Sequence, residues 1–467
     1  LLEYRGVTDL QEAFARQELF EGKTWRTSPE PWKLSAEIVS ALEGIGQASL
    51  DFYKALEVLY SRSADGKKLL RNKEVYAPWV AEYLDRGKPS ELVAISRSKA
   101  CKGRIPPVIR PDLLVTAEGF SITELDSVPG GIGLTAYLNA LYEGDSWFPI
   151  LGEEKAMEKA FYRRLASLAP EKDNPVIVIA VSEESATYKP EMDWLADRLQ
   201  LMGHRVFSLH TNEVFPLGGG LYFDIEGNPE KIDVVYRFFE LFDLANIKTS
   251  QFIIEAWENG EIALDPPLRP FFEEKSTLAL YHHHLLREFW RESISKKSRK
   301  ILDSLIPKSW IVDPSPLPPG AAIDGPMAQG RQLHSWMDLA EASQKERNLV
   351  LKISGFHETA WGSRGVVIGN DVSKEEWAVS LTEACDGADS HLHVIQEFRK
   401  SIRLSHPLYS MDGEVYEASG RLRLNPYYFV NGDKVELAGA LATFCPPDKK
   451  IIHGMEDAAM LPCSVTD

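Results

Sequence analysis

PPVIRPDLLVTAEGFSITELD, residues 106–126, is the stretch on which the fold of this chain turns. It holds two apolar runs, 106–115 and 120–125, parted by Ala117-Glu118-Gly119. A short turn with glycine between two such runs predicts a β-hairpin. Arg110 and Asp112 sit two apart on the first strand, Glu124 and Asp126 two apart on the second. Alternate side chains of a strand share a face, so each pair points one way, and pairing of the strands brings Asp112 beside Glu124 and Asp126. Three carboxylates gathered like this suit Mg2+, completed by water and substrate phosphate. Arg110 beside them suits a phosphate, or an oxyanion as charge develops. The same residues also satisfy a plainer reading, a surface hairpin laced with salt bridges, and the stretch alone does not separate the two.

Upstream, residues 1–104 read as a helical N-terminal region. In 31–60, Leu34, Ile38, Val39, Leu42, Ile45, Leu50, Tyr53, Leu56 and Leu59 recur near helical spacing. Ser28 is placed to cap this helix, and 76–84 predicts a shorter one. No chemistry is visible there, and scaffold is the expectation.

Downstream, 105–150 carries the hairpin and a helix over 135–142, and 151–248 reads as an α/β unit. Its helix at 153–168 is followed by PVIVIAV at 175–181, a buried strand by its unbroken apolar run. An amphipathic helix at 190–202 and strands at 205–209 and 232–236 complete a parallel βαβ pattern. The remainder, 249–467, begins with helices at 249–257 and 270–295. Residues 314–330 are rich in Pro and Gly and read as a loop. Strands at 349–353 and 365–368 flank a glycine-containing loop. Ser373 and Glu376 form a capping box for a helix over 373–384, and 391–428 is strand-rich. The triple glycine at 218–220 reads as a turn. His282, His283 and His284 splay by about 100° each on a helix and so do not share one ion.

Of 467 residues, 44% are apolar, enough for a sizeable core, and no apolar run reaches membrane-spanning length. The net charge of −17 argues against broad binding to nucleic acid or anionic lipid. None of the four cysteines forms a C-x-x-C pair, and a reduced, cytoplasmic setting is the expectation. The chain begins at Leu1 rather than Met, so a preceding segment, targeting peptide included, is compatible with it.

Arg-x-Asp followed twelve residues on by Glu-x-Asp resembles the metal-binding segment of glutathionylspermidine synthetase-like proteins, which are circularly permuted members of the ATP-grasp group. That family usually has Asn where this chain has Asp126. The resemblance spans about residues 105–430 and implies ATP and Mg2+, with Asp112, Glu124 and Asp126 as metal ligands and Arg110 as a catalytic residue. It also implies two phosphate-binding lysines: Lys275, in FFEEKSTLALY, and Lys352, in NLVLKISG, resemble them. Gly362, Ser363, Arg364 and Gly365 lie in the loop that folds over the triphosphate in this group, though the Pro usual after the second lysine is missing. Gln396 and Glu397 fall where the group places its adenine hinge. In ordinary ATP-grasp chains the lysines come first; here the acidic segment does, as in the permuted branch.

The implied fold is α+β, a circularly permuted ATP-grasp core with a βαβ-containing middle region and a helical N-terminal region. The implied activity is carboxylate–amine ligation through an acyl phosphate, on small-molecule or peptide acids and amines, with no nucleic acid or membrane partner. Three rivals stand beside it. One is a nucleotide-binding regulator without catalysis. The second is phosphotransfer to an acceptor other than a carboxylate. The third is an unrelated α/β enzyme such as a dehydrogenase built around Gly130–Gly133, although G-x-G-x-x-G spacing is absent. In the ligase reading, that glycine loop is expected to cradle a substrate carboxylate at a helix N-terminus.

Overall fold

The computed structural model describes residues 6–143, 149–360, 364–452, 454 and 457–466. The hairpin forms from strands Val108–Thr116 and Gly119–Asp126, antiparallel, with Arg110 opposite Asp126 and Asp112 opposite Glu124. Gly119, at φ 113°, makes the tight turn. The register slips between Asp112 and Leu113, which leaves Thr123 without a cross-strand partner. Such a bulge re-aims the local backbone.

The hairpin ends a large sheet that runs Trp32–Ser35, Ala459–Thr466, Lys434–Cys445, Val415–Asn431, Val108–Thr116, Gly119–Asp126, with Leu404–Tyr409 also paired to Val415–Asn431. Both faces are covered. Tyr428 and Leu422 look toward the long helix Ala36–Ala64, while Tyr427 and Phe429 join a second core with helices Ile132–Tyr142 and Ala156–Ala166. A central strand buried on both sides explains the near-continuous apolar run Tyr427–Val430.

The N-terminal region differs from its expectation. Trp32–Ser35 is a strand paired with Ala459–Thr466, and the long helix starts at Ala36. Its cap is Ser35, whose Oγ accepts from Ile38 N at 3.3 Å. Ser28 is buried instead against His406 Nε2 (2.9 Å) and the Pro407 carbonyl (2.8 Å). Residues 1–104 therefore contribute to the large sheet as well as flanking it.

The parallel pattern is found as expected. Ala263–Asp265, Val234–Phe238, Ile177–Val181 and Val206–His210 lie side by side in that order, all parallel. This sheet continues to Asp265, past the boundary expected at 248. A four-stranded antiparallel sheet follows, in the order Ser309–Val312, His393–Glu397, Leu349–Ile353, Val366–Ile368. Helix Lys374–Asp386 backs it, with the Ser373–Glu376 capping box formed and Trp377 fully buried. The helix expected over 270–295 is broken into short pieces, with Ser276–His282 and Arg287–Ser293 as its α-helical parts. Among the described residues no helix is long and apolar enough to cross a membrane.

Gly46 of the long helix lies beneath the Tyr428 ring, which an added Cβ would meet at 2.4 Å, and the Tyr428 hydroxyl donates to Leu42 O at 2.5 Å. Gly46→Leu is expected to destabilise the fold by about 1–3 kcal/mol through overpacking. Urea unfolding checks this; an unchanged midpoint would mean that the helix does not pack at this point.

Candidate functional site

A cavity lies between the large sheet and the small antiparallel one. Asp112, Thr123, Glu124 and Arg423 line it from the first, and Lys352 and Gln396 from the second. Lys275 lines it from the segment ahead of helix Ser276–His282.

Lys352 is carried by Leu349–Ile353, a strand buried along its whole length. Its Nζ donates to Gln396 Oε1 at 2.8 Å on the neighbouring strand and to Thr123 O at 3.0 Å on the hairpin. That carbonyl belongs to the bulged residue, which has no Cα partner across the hairpin. Burial pushes the Lys352 ammonium down to about 8, and Lys275 adds to the effect against the pull of Glu124 and Asp112. Gln396 is locked in turn, donating to Ser309 Oγ at 3.0 Å.

Lys275 places its Nζ 2.8 Å from Glu124 Oε1 and 2.7 Å from the Ala360 carbonyl. Burial works against its charge, but the Glu124 carboxylate outweighs it and the pKa is raised. Its own N–H goes to Ser354 O at 2.9 Å, and Ser276 N donates to Ser354 Oγ at 2.9 Å. These bonds hold the two lysine segments together and explain why the 3-10 turn Pro270–Glu273 does not continue as an α-helix through Lys275.

Asp112 is buried and enclosed by cations and donors: Arg423 Nη1 at 2.9 Å, Asn425 Nδ2 at 2.6 Å and Arg110 Nη2 at 3.1 Å. Burial alone would raise its pKa; Arg423 and Arg110 outweigh that, and it is lowered. Arg110 also meets Asp126 at 2.9 Å and donates to Gly130 O at 3.0 Å. It lies beside the cavity wall rather than on it. Asp126 is raised by burial and by Glu124, with Arg110 opposing, and accepts from Val128 N at 2.9 Å.

The three carboxylates thus share a patch but do not converge on one point. Among the described residues no group of three or more His, Cys, Asp or Glu is arranged to hold a metal. Of the three carboxylates expected to hold Mg2+, Asp112 and Asp126 have their oxygens bonded to arginines, Asn425 and a backbone N–H. Glu124 differs, being half-exposed, on the cavity wall, and bonded to Lys275 through one oxygen. It fits the one-carboxylate manner in which Mg2+ is commonly held together with phosphates.

At the other end, Glu397 lines the cavity and pairs with Arg399 at 2.9 Å. The Glu397 and Phe398 N–H groups are already bonded to Lys308 O and Asn348 O. Arg364 donates to Glu358 O at 2.9 Å and does not line the cavity. Gly365 packs so closely that a Cβ would meet Ile353 at 2.7 Å. Gly362 and Ser363 lie outside the described residues.

The glycine loop before helix Ile132–Tyr142 is already filled. Glu191 takes the Gly131 N–H at 2.6 Å and the Leu134 N–H at 3.0 Å. Burial pushes this carboxyl up to about 7, against those two bonds. The expected substrate-carboxylate cradle is therefore corrected to an internal cap. The loop also follows an antiparallel strand, not one of the parallel sheet, which removes the structural basis of the dehydrogenase rival.

Arg423 and Asn425 were not singled out from the sequence. Their signal is the alternation of Arg421, Arg423 and Asn425 with Leu422 and Leu424, which gives that strand one polar face.

No known family profile matches the chain, and no curated protein matches it. Among solved structures it is similar to a glutathione synthetase-like effector from Globodera pallida in apo form, at TM-score 0.55 and 11% identity, over 98% of this chain and 96% of that one. A putative gamma-glutamylcysteine synthetase from Methylobacillus flagellatus matches at TM-score 0.43 and 11% identity, over 87% of each chain. D-alanyl-alanine synthetase A from Vibrio cholerae matches at TM-score 0.28 and 11% identity, over 63% of this chain and 88% of that one. The first likeness, which spans nearly the whole of both chains, shows a shared fold.

An anion bound at Lys352 favours its charged form, so binding takes up a proton once the pH passes about 8. Affinity for inorganic tripolyphosphate, as a probe anion, is expected to fall by about tenfold between about pH 7.5 and about pH 9, and Lys352→Arg to flatten the dependence. Calorimetry in buffers of different ionisation enthalpy reads both; a flat profile in the unaltered chain would rule Lys352 out as the titrating contact.

Proposed function

We propose that this chain is a Mg-ATP-dependent carboxylate–amine ligase with a glutathionylspermidine synthetase-like, circularly permuted ATP site between its large sheet and the four-stranded antiparallel sheet. The observation that carries the proposal is the meeting of Lys275 and Lys352, 77 positions apart in sequence, at one cavity whose opposite wall is the acidic hairpin. Fold likeness to a glutathione synthetase-like effector supports the amide-forming class.

In this reading ATP transfers its γ-phosphoryl group to a carboxylate oxygen of the acid substrate, and ADP leaves. The amine then attacks the acyl carbon, phosphate departs with the C–O bond electrons, and the amine gives up a proton. Lys275 and Lys352 hold the phosphates, exchanging Glu124, Gln396 and Thr123 for phosphate oxygens. Gln396 and Glu397 border the base and ribose. Arg364 and Gly365 belong to the segment that would close over the phosphates on binding. Arg110, ordered by Asp112 and Asp126, faces the acyl end and steadies its negative charge. Mg2+, when bound, supplies charge neutralisation on the phosphates, with Glu124 as its protein ligand.

A second reading, a nucleotide-binding partner without catalysis, is favoured by the saturation of Asp112 by Arg110, Arg423 and Asn425. ADP release from Mg-ATP over pooled acids and amines separates the two. The ligase reading expects ADP and amide in equal amounts, and a loss of about 100-fold or more in kcat/KM for Lys352→Met and for Glu124→Gln. ATP binding without ADP under any acid–amine pair would sink it and leave the second reading.

A further inference from the structure

A second cavity, of about 470 Å³, opens beside the first and shares Phe398 and Arg399 with it. Four cationic side chains line it, Arg399, Lys400, Arg403 and Arg421, against one carboxylate, Glu118. The chain as a whole has 69 acidic and 52 basic residues, so the composition does not predict this excess.

Arg399 is neutralised by Glu397. Among the described residues, Lys400, Arg403 and Arg421 have no carboxylate in ion-pair reach. Arg421 is the telling member. It is only 8% exposed, and it donates through Nε to the Pro447 carbonyl at 2.8 Å and through Nη1 to the Ser401 carbonyl, neutral groups that leave its charge uncompensated. A buried guanidinium without a counter-charge is costly unless an anion comes to it.

The cations are also held in place. Arg421 ties strand Val415–Asn431 to the 398–403 segment through Ser401. Ile402 N donates to Val115 O at 2.9 Å, which ties the same segment to the hairpin. Lys400 and Arg403, both exposed, flank these anchored residues, which fixes their backbone at the cleft.

We infer that this cleft is a binding site for a small multivalent anion bearing phosphates or several carboxylates. Its volume falls within the range of about 300–1,000 Å³ typical of small-molecule sites. A net charge of −17 repels an extended polyanion such as nucleic acid or a lipid surface, whereas a small anion within a screening length of about 8–10 Å feels mainly the local cations. The inference stands on the cleft's own charges and does not rest on the ligase reading.

Calorimetric titration of the full chain with inorganic pyrophosphate and, separately, with citrate tests it. Ala117→Trp fills the cleft from its rim without changing charge; Lys400→Glu with Arg403→Glu reverses two of its cations; Lys352→Met alters only the first cavity. With at least one of the anions, the unaltered chain is expected to show a binding event that Lys352→Met retains and that the other two variants weaken by at least about tenfold. The preferred anion then tells phosphate from carboxylate recognition. The inference is overturned if neither anion binds up to about 10 mM, or if every event seen is lost in Lys352→Met or kept in Ala117→Trp. Thermal unfolding of each variant, matched to the unaltered chain, excludes misfolding; should Ala117→Trp fail this check, the charge-reversed chain decides alone.

Discussion

Buried charge must be compensated where it stands, and Asp112 is the point at which this chain meets that demand. It is 5% exposed and ionised. Leaving such a carboxylate bare costs several kcal/mol. Three donors close around it, Arg110 from its own strand and Arg423 and Asn425 from the strand alongside. Those bonds fix the hairpin against Val415–Asn431, and the hairpin's pairing then sets Glu124 opposite Asp112. Glu124 in turn receives Lys275. One buried carboxylate thus orders a chain of alternating charge that crosses from the large sheet to the lysine segments.

The second support comes from the region that shows no chemistry in its sequence. Lys88 and Glu274 form an ion pair at 2.5 Å, with side chains 1% and 5% exposed. Glu274 also accepts from Ser354 Oγ, the same oxygen that takes the Ser276 N–H. The N-terminal region therefore holds Glu274, Glu274 holds Ser354, and Ser354 joins the Lys275 and Lys352 segments. Scaffold is an apt word for 1–104, but the load it carries is the spacing of the two lysines.

What the sequence made legible was local. Alternation along 108–126 placed the four charges of the hairpin, and the unbroken run at 175–181 marked a strand that is fully buried. The capping box at Ser373 and Glu376 formed because both partners lie within one turn. Long-range bonds were not legible. Ser28 resembles a cap as well as Ser35 does until His406 and Pro407, nearly 380 positions on, claim it. The helical pattern of 270–295 gives no sign that Lys275 N–H leaves the helix for Ser354 O. The N-terminus of helix Ile132–Tyr142 looks open until Glu191 is folded onto it. The Thr123 bulge comes from pairing register, which the alternation of a single strand does not encode.

The partners of each cation also rank them for a ligand. Binding an anion at an occupied cation is an exchange, and only the difference in interaction is gained. In the first cavity Lys275 is paired with Glu124, Arg423 with Asp112, Arg399 with Glu397 and Lys450 with Asp371. A phosphate at any of these must displace a carboxylate or share the cation with one. Lys352 has only neutral partners, the Thr123 carbonyl and the Gln396 amide oxygen. Its depressed pKa expresses the same fact, since nothing adjacent compensates its charge in full. A phosphate therefore gains most at Lys352. Lys275 follows only once Glu124 is drawn elsewhere, and a cation arriving with the phosphates is the partner that would draw it.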